Sequence, residues 1–157
     1  MELNPLTALS PIDGRYARQT DALRDIFSEC AFMNARVRVE VEWLISLSEA
    51  GFAELPHLSD HGKAFLRGLA DNFSLADCEA IKEIEKTTNH DVKAVEYWIK
   101  NQVAHDEELK SASEFVHFSC TSEDINNTSH AIMLKRGREA LADYLQQIHD
   151  TIAGFAH

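Results

Sequence analysis

The sequence predicts an all-α protein: an N-terminal helical domain over residues 1–111, then, over 112–157, the first long helix of a central helical bundle. Three observations carry this. Apolar residues recur at three- and four-residue steps through most of the chain. No stretch shows strand-length alternation flanked by hairpin turns. A serine or threonine stands three positions before an acid at Ser74–Asp77 and Thr121–Asp124, the reciprocal pattern with which helices start.

The bulk properties bound what such a chain can do. Its 157 residues are enough to bury a real core, and 45% hydrophobic with 26% charged residues describes a folded globular chain. A net charge of −11 excludes nonspecific nucleic-acid binding through a basic face. An anionic ligand would need positive groups that are local and few. Cys30, Cys78 and Cys120 are odd in number, widely spaced and without a CxxC, so they are expected to be reduced, buried small hydrophobes. No apolar run reaches transmembrane length and MELNPLTALS has no signal-peptide character. A cytoplasmic protein is expected.

Residues 1–20 read as an irregular lead-in broken by Pro5, Pro11 and Gly14. Within it the Asp13-Gly14 turn of SPIDGRY presents Arg15 and Tyr16, either as an anion-recognising pair or as a solvated surface turn. Asp21 to Ala50 reads as one long helix with Leu23, Phe27, Val37, Val41, Leu44 and Leu47 on its apolar side, a possible kink between Cys30 and Asn34, and Gly51 as its stop. A second helix, Ser59 to Asn72, is expected to turn Phe65, Leu66 and Leu69 inward. A third opens at the Ser74–Asp77 box with Cys78, Ile81 and Ile84 on one side. His57 and His61 have metal-compatible spacing, but Pro56 and the cap at Ser59 interrupt it, and no metal is expected. Asp91 is the expected cap of a further helix with Val92, Val95, Ile99 and Val103 inward, which places Asn89 and His90 just before its start. Ala104 to Lys110 reads as a charged connection.

The stretch Ser113 to Asn127, SEFVHFSCTSEDINN, concentrates His117, Cys120, Thr121, Ser122, Glu123 and Asp124 around one helix start. Free backbone donors and the positive end of the helix dipole make such a start a favourable place for an anion. The plain alternative is a capped helix behind an ordinary buried segment. From Ser122 the helix is expected to run nearly to the end, about 50 Å at the standard rise. Leu141, Leu145, Ile148, Ile152 and Phe155 alternate four- and three-residue steps, a coiled-coil-like seam that nothing later in the sequence covers. The chain therefore reads as cut rather than finished, and as self-associating.

Three segments in this order, SPIDGRY, TTNHDVKAVEYW and SEFVHFSCTSEDINN, resemble the N-terminal part of the adenylosuccinate lyase family, within the fumarase/aspartase superfamily. The resemblance implies a homotetramer whose sites are assembled from three chains, and β-elimination of fumarate from adenylosuccinate, giving AMP, and from succinyl-aminoimidazole-carboxamide ribotide. It implies no metal and no organic cofactor. Carried over residue by residue, Arg15 and Tyr16 match the nucleotide-binding pair. His90, flanked by Asn89 and Asp91, matches a histidine that contacts substrate and supports proton transfer, and His117 matches a second site histidine. Thr121 and Ser122 match hydroxyls that hold a substrate carboxylate, and Lys93 would add positive charge near the phosphate. The family's serine base and its general-acid histidine have no counterpart here, so the chain reads as about a third of the enzyme and inactive alone. Two other readings compete: another lyase of the superfamily, against which Arg15-Tyr16 and the NHD segment speak, and a non-catalytic helical module that binds partner helices through its seam.

Overall fold

The computed structural model describes residues 4–156; the first three residues of the expected lead-in and His157 lie outside the described residues. Every regular element described is helical: a 3₁₀ turn at Asp21–Leu23, α1 (Arg24–Phe27), α2 (Glu29–Glu49), α3 (Asp60–Asp71), α4 (Leu75–Thr88), α5 (Asp91–Val103), α6 (Glu107–Ala112), a second 3₁₀ turn at Ser113–Phe115 and α7 (Ser122–Phe155).

The chain is organised around α2, which packs against α1, α3, α4, α5 and α7. Val37, Val41, Leu44, Ile45 and Leu47 of α2 form one core cluster with Leu66 and Ala70 of α3, Ile81 of α4, and Val95, Trp98, Ile99 and Val103 of α5. Each such aliphatic side chain removed from water stabilises the fold by about 1.5–3 kcal/mol before entropy is counted. The stop of α2 is the expected one: Ala50 caps it and Gly51 takes φ 82°, a conformation that costs glycine nothing.

Four expectations are corrected. The single helix from Asp21 to Ala50 is interrupted at Ser28, ahead of the predicted kink, because its Oγ accepts from the Ala31 amide at 3.1 Å while its backbone is extended. A serine that caps a new helix cannot continue the old one. The charged connection Ala104–Lys110 contains the start of α6, since Asp106 accepts from the Leu109 amide at 2.9 Å and Leu109 and Ala112 are buried. Phe65 faces outward, its inner place taken by Leu66 and Ala70. Cys30 and Cys78 are not two separate thiols but a disulfide that ties the first turn of α2 to that of α4, leaving Cys120 free. Sequence spacing could not show this pairing, because it depends on two helices lying side by side with the Cα atoms 5.7 Å apart.

The expected long last helix is present. Its first half is anchored through Ile125, Ser129, Met133 and Gly137, one buried residue per turn. From Leu141 through Ile152 every residue is exposed, and Leu145 (66%), Ile148 (56%) and Ile152 (63%) present the seam to solvent. No helix among the described residues is long and apolar enough to cross a membrane.

Two outcomes follow. The 157-residue chain should give a helix-dominated circular dichroism spectrum without β signal. In sedimentation it should self-associate with rising concentration, and Leu145→Gln with Ile152→Gln should shift it toward monomer while leaving helix content unchanged. A well-behaved monomer at high concentration would show that the seam does not drive assembly.

Candidate functional site

The site forms where the starts of α5 and α7 meet. Asn89 ends α4 in the left-handed conformation (φ 49°), which asparagine tolerates, and the chain turns directly into α5. His90, not Asp91, is the N-cap of α5: its backbone is extended and its Nδ1 accepts from the Lys93 amide at 3.2 Å. An imidazole nitrogen reaches this amide while Asp91, now the first helical residue, is turned to other partners. Its Oδ1 accepts from the Val92 amide at 2.9 Å and its Oδ2 meets the Arg36 guanidinium at 2.5 Å. Burial opposes the charge on Asp91, but the Val92 amide and the Arg36 charge together hold its carboxyl below the usual range.

Thr121 caps α7 in the expected box, donating its amide to Asp124 Oδ2 at 2.8 Å and accepting weakly from the Asp124 amide at 3.4 Å. The two starts then touch: His90 Nε2 lies 3.3 Å from Ser122 Oγ. With Nδ1 occupied as an acceptor, a neutral His90 ring carries its proton on Nε2 and donates toward Ser122. The serine hydroxyl keeps its own proton for another acceptor. The α5 start spends its Val92 and Lys93 amides on Asp91 and His90, so it is the first-turn amides of Ser122 and Glu123 on α7, with the Ser122 hydroxyl, that stand next to the imidazole, an arrangement suited to a carboxylate.

His117 reaches the same region from the loop between Ser113–Phe115 and α7. The loop is tightly wound: His117 and Ser119 have φ of 64° and 62°, and the indole of Trp43 donates to the Phe118 carbonyl at 2.8 Å. Left-handed non-glycine residues cost roughly 1–3 kcal/mol each, so the surrounding contacts hold them there. The strongest contact is with Glu40 of α2, whose Oε1 lies 2.6 Å from His117 Nδ1. The Glu40 side chain is fully buried and its Oε2 has no hydrogen-bond partner. The hydrogen bond to Glu40 raises the affinity of His117 for its proton; burial pulls the other way, and the negative charges of Glu40 and Glu96 add to the rise. With Nδ1 committed to Glu40, Nε2 is the ring nitrogen left for other chemistry. Lys93, which the resemblance sets near a phosphate, pairs with buried Glu96 at 2.8 Å. Among the described residues no group of three His, Cys, Asp or Glu side chains is placed to hold a metal.

Arg15 and Tyr16 stand apart from this cluster. They line a recess with Pro5, Leu6, Ser10 and Pro11, the Arg15 guanidinium 5.7 Å from the Tyr16 ring centre. Gly14 is needed there, because a Cβ would come within 2.9 Å of the Pro5 carbonyl oxygen. No hydrogen bond, ion pair or ring contact joins this recess to His90, His117, Thr121 or Ser122 among the described residues. The structure therefore gathers six of the predicted positions, Asn89, His90, Asp91, His117, Thr121 and Ser122, around the α5 and α7 starts and leaves Arg15 and Tyr16 outside.

Sequence reasoning missed Arg36, Glu40 and Glu96. All three are buried, at 3%, 1% and 4% exposure. A signal was available: Arg36 and Glu40 lie four apart amid the apolar positions of α2, and charges set into an apolar helix side are seldom idle.

The Glu40–His117 pair yields a prediction. Because the folded imidazole binds its proton more tightly than at its ordinary value of 6.5, the pair stabilises fully below about pH 6.5 and loses that contribution as pH rises through the folded value. Glu40→Gln should cost about 1–3 kcal/mol, and the midpoint of the His117 ring resonances should fall in an NMR titration. An unchanged midpoint would mean that Glu40 does not control His117.

With this geometry in view, comparison with known proteins is informative. A family model described as a lyase matches residues 14–157. The chain is 56% identical over 142 residues to an adenylosuccinate lyase of Vibrio cholerae, covering 90% of this chain and 31% of that protein. It is 52% identical over 158 residues to the adenylosuccinate lyase of Haemophilus influenzae, covering 99% of this chain and 35% of that one. For the Escherichia coli K12 adenylosuccinate lyase the identity is 51%, again over 99% of this chain and 35% of the relative. The chain thus spans about a third of the length of these curated relatives. The family match takes in Arg15, both helix starts and the Glu40–His117 pair, and the chain belongs to this lyase family.

Proposed function

We propose that this chain forms part of the substrate site of an adenylosuccinate lyase of purine nucleotide biosynthesis, which releases fumarate by β-elimination from adenylosuccinate and from succinyl-aminoimidazole-carboxamide ribotide. The observation that carries the reading is the 3.3 Å approach of His90 Nε2 to Ser122 Oγ at two converging helix starts. Elimination of this type removes a proton beside a carboxylate, so negative charge builds on that carboxylate in the transition state. Preorganised donors there contribute most to the rate. Thr121, Ser122 and the free amides of α7 take the role of holding the carboxylate, with His90 Nε2 as a donor beside them. His117, held by Glu40, is the proton-handling group among the residues present. Asn89 and Asp91 shape the α5 start on which His90 sits, and Arg15 with Tyr16 receives the nucleotide. The chemistry needs no cofactor.

The assembly proposed is a homotetramer in the cytoplasm, with each site built from several chains. Two features support this: the exposed seam on α7, and the separation of the Arg15-Tyr16 recess from the His90–Ser122 cluster, which a second copy could bring to the same substrate. In a reducing compartment Cys30 and Cys78 would stand as two thiols in the same packed position, as Cys78 is only 5% exposed.

The test uses the 157-residue chain with adenylosuccinate. Binding should be weak and should weaken further, by about tenfold, in Ser122→Ala and in His90→Gln, a change worth about 1.4 kcal/mol. Fumarate release, followed by absorbance beside a full-length relative, should stay at background, because the residues present supply no complete acid–base pair. Turnover close to the relative's rate would overturn the roles given to His90 and His117. Absence of any binding would remove the carboxylate-site reading.

A further inference from the structure

We infer that Arg36 is a positioning residue for the site: a single buried guanidinium on α2 sets the distance between His90 and Ser122. This rests on the site reading above and adds to it a residue that touches neither proposed ligand group. Arg36 is 3% exposed, and its head group bridges two helices. Its NH2 meets Asp91 Oδ2 at 2.5 Å, on the first residue of α5 and adjacent to His90. Its Nε donates to Asn126 Oδ1 at 2.9 Å. Asn126 lies four residues after Ser122, hence one turn along on the same side of α7. One rigid fork therefore reaches, on each helix, a position next to a residue of the contact.

The guanidinium is itself held in place. It lies over the Phe32 ring, 3.8 Å from the centroid, and Phe32 stacks on His130 of α7 with centroids 4.5 Å apart. The plane of the fork is thus fixed by packing against α2 on one side and by its two hydrogen bonds on the other. The planar five-donor geometry is what allows two acceptors on different helices to be held at fixed separation. A lysine ammonium, a flexible point charge, does not reproduce it.

The experiment compares the 157-residue chain with Arg36→Lys and, as a gentler variant that leaves the buried charge paired with Asp91, Asn126→Ala. Two readouts are taken beside helix content: the NMR cross-peak between the His90 ring and the Ser122 β-protons without ligand, and affinity for adenylosuccinate. In folded Arg36→Lys the cross-peak should fall by more than about half and affinity by about tenfold, a change worth about 1.4 kcal/mol. Asn126→Ala should show the same losses at about a third of that size or more. If the cross-peak persists at full intensity in the folded variants, Arg36 does not position the contact. If Arg36→Lys unfolds, Asn126→Ala decides alone: a weakened cross-peak supports the proposal and an unchanged one overturns it. A wild-type chain that fails to bind adenylosuccinate would sink the functional reading only, since the ligand-free cross-peak still tests Arg36.

Discussion

Everything at this site hangs on two charges buried one turn apart on the central helix. Arg36 reaches the starts of α5 and α7, and Glu40 reaches His117. A buried ion pair does little better than offset its own desolvation, so neither is a general source of stability. Their effect is geometric. Three segments that are distant in sequence are tied to one helix that is already immobile, because Val37, Val41 and Leu44 beside them are fully packed. Apolar packing decides that α2 lies at the centre. The charges then decide the angle and depth at which the polar segments meet it.

The electrostatics of the site follow from the same economy. The chain carries −11 overall, and its nearby cations are already engaged: Arg36 with Asp91, Lys93 and Lys100 with Glu96. What is left to attract a carboxylate is the backbone. The α5 start has spent its Val92 and Lys93 amides on Asp91 and His90, but the first-turn amides of Ser122 and Glu123 on α7 give partial positive charge that needs no side-chain ordering when a ligand arrives. Placing this start beside the His90 imidazole and the Ser122 hydroxyl gathers donors at one point of a strongly acidic molecule. His117 is treated differently: its buried carboxylate partner favours the protonated ring, whereas His90 spends Nδ1 on its helix. Two histidines in one small region are thereby given distinct roles by their second nitrogen.

α7 has two unlike halves. One anchoring residue per turn, from Ile125 to Gly137, fixes the first half and with it Ser122. The second half carries an equally regular apolar series that is exposed to solvent along its length. The rigid part of the helix positions the site, and its continuation presents a surface whose burial would favour association at roughly 25 cal/mol for each Å² removed from water.

By itself the sequence determined the local elements and most of their ends. Helix periodicity, the Ser74 and Thr121 boxes and the Gly51 stop are written in neighbouring residues, because capping and amphipathicity are settled within one or two turns. The segments around His90, His117 and Ser122 were legible as polar helix entrances for the same reason, and Arg15 as part of a turn. Only the tertiary structure decided which of them meet. Whether Ser28 caps or continues a helix, and whether His90 or Asp91 is the cap, turned on competition for partners such as Arg36. The Cys30–Cys78 bond, the Glu40–His117 pair and the Arg36 bridge join residues 48, 77 and up to 90 positions apart. Such separations leave no periodic trace in the chain. They exist only because core packing around α2 brings these helices side by side.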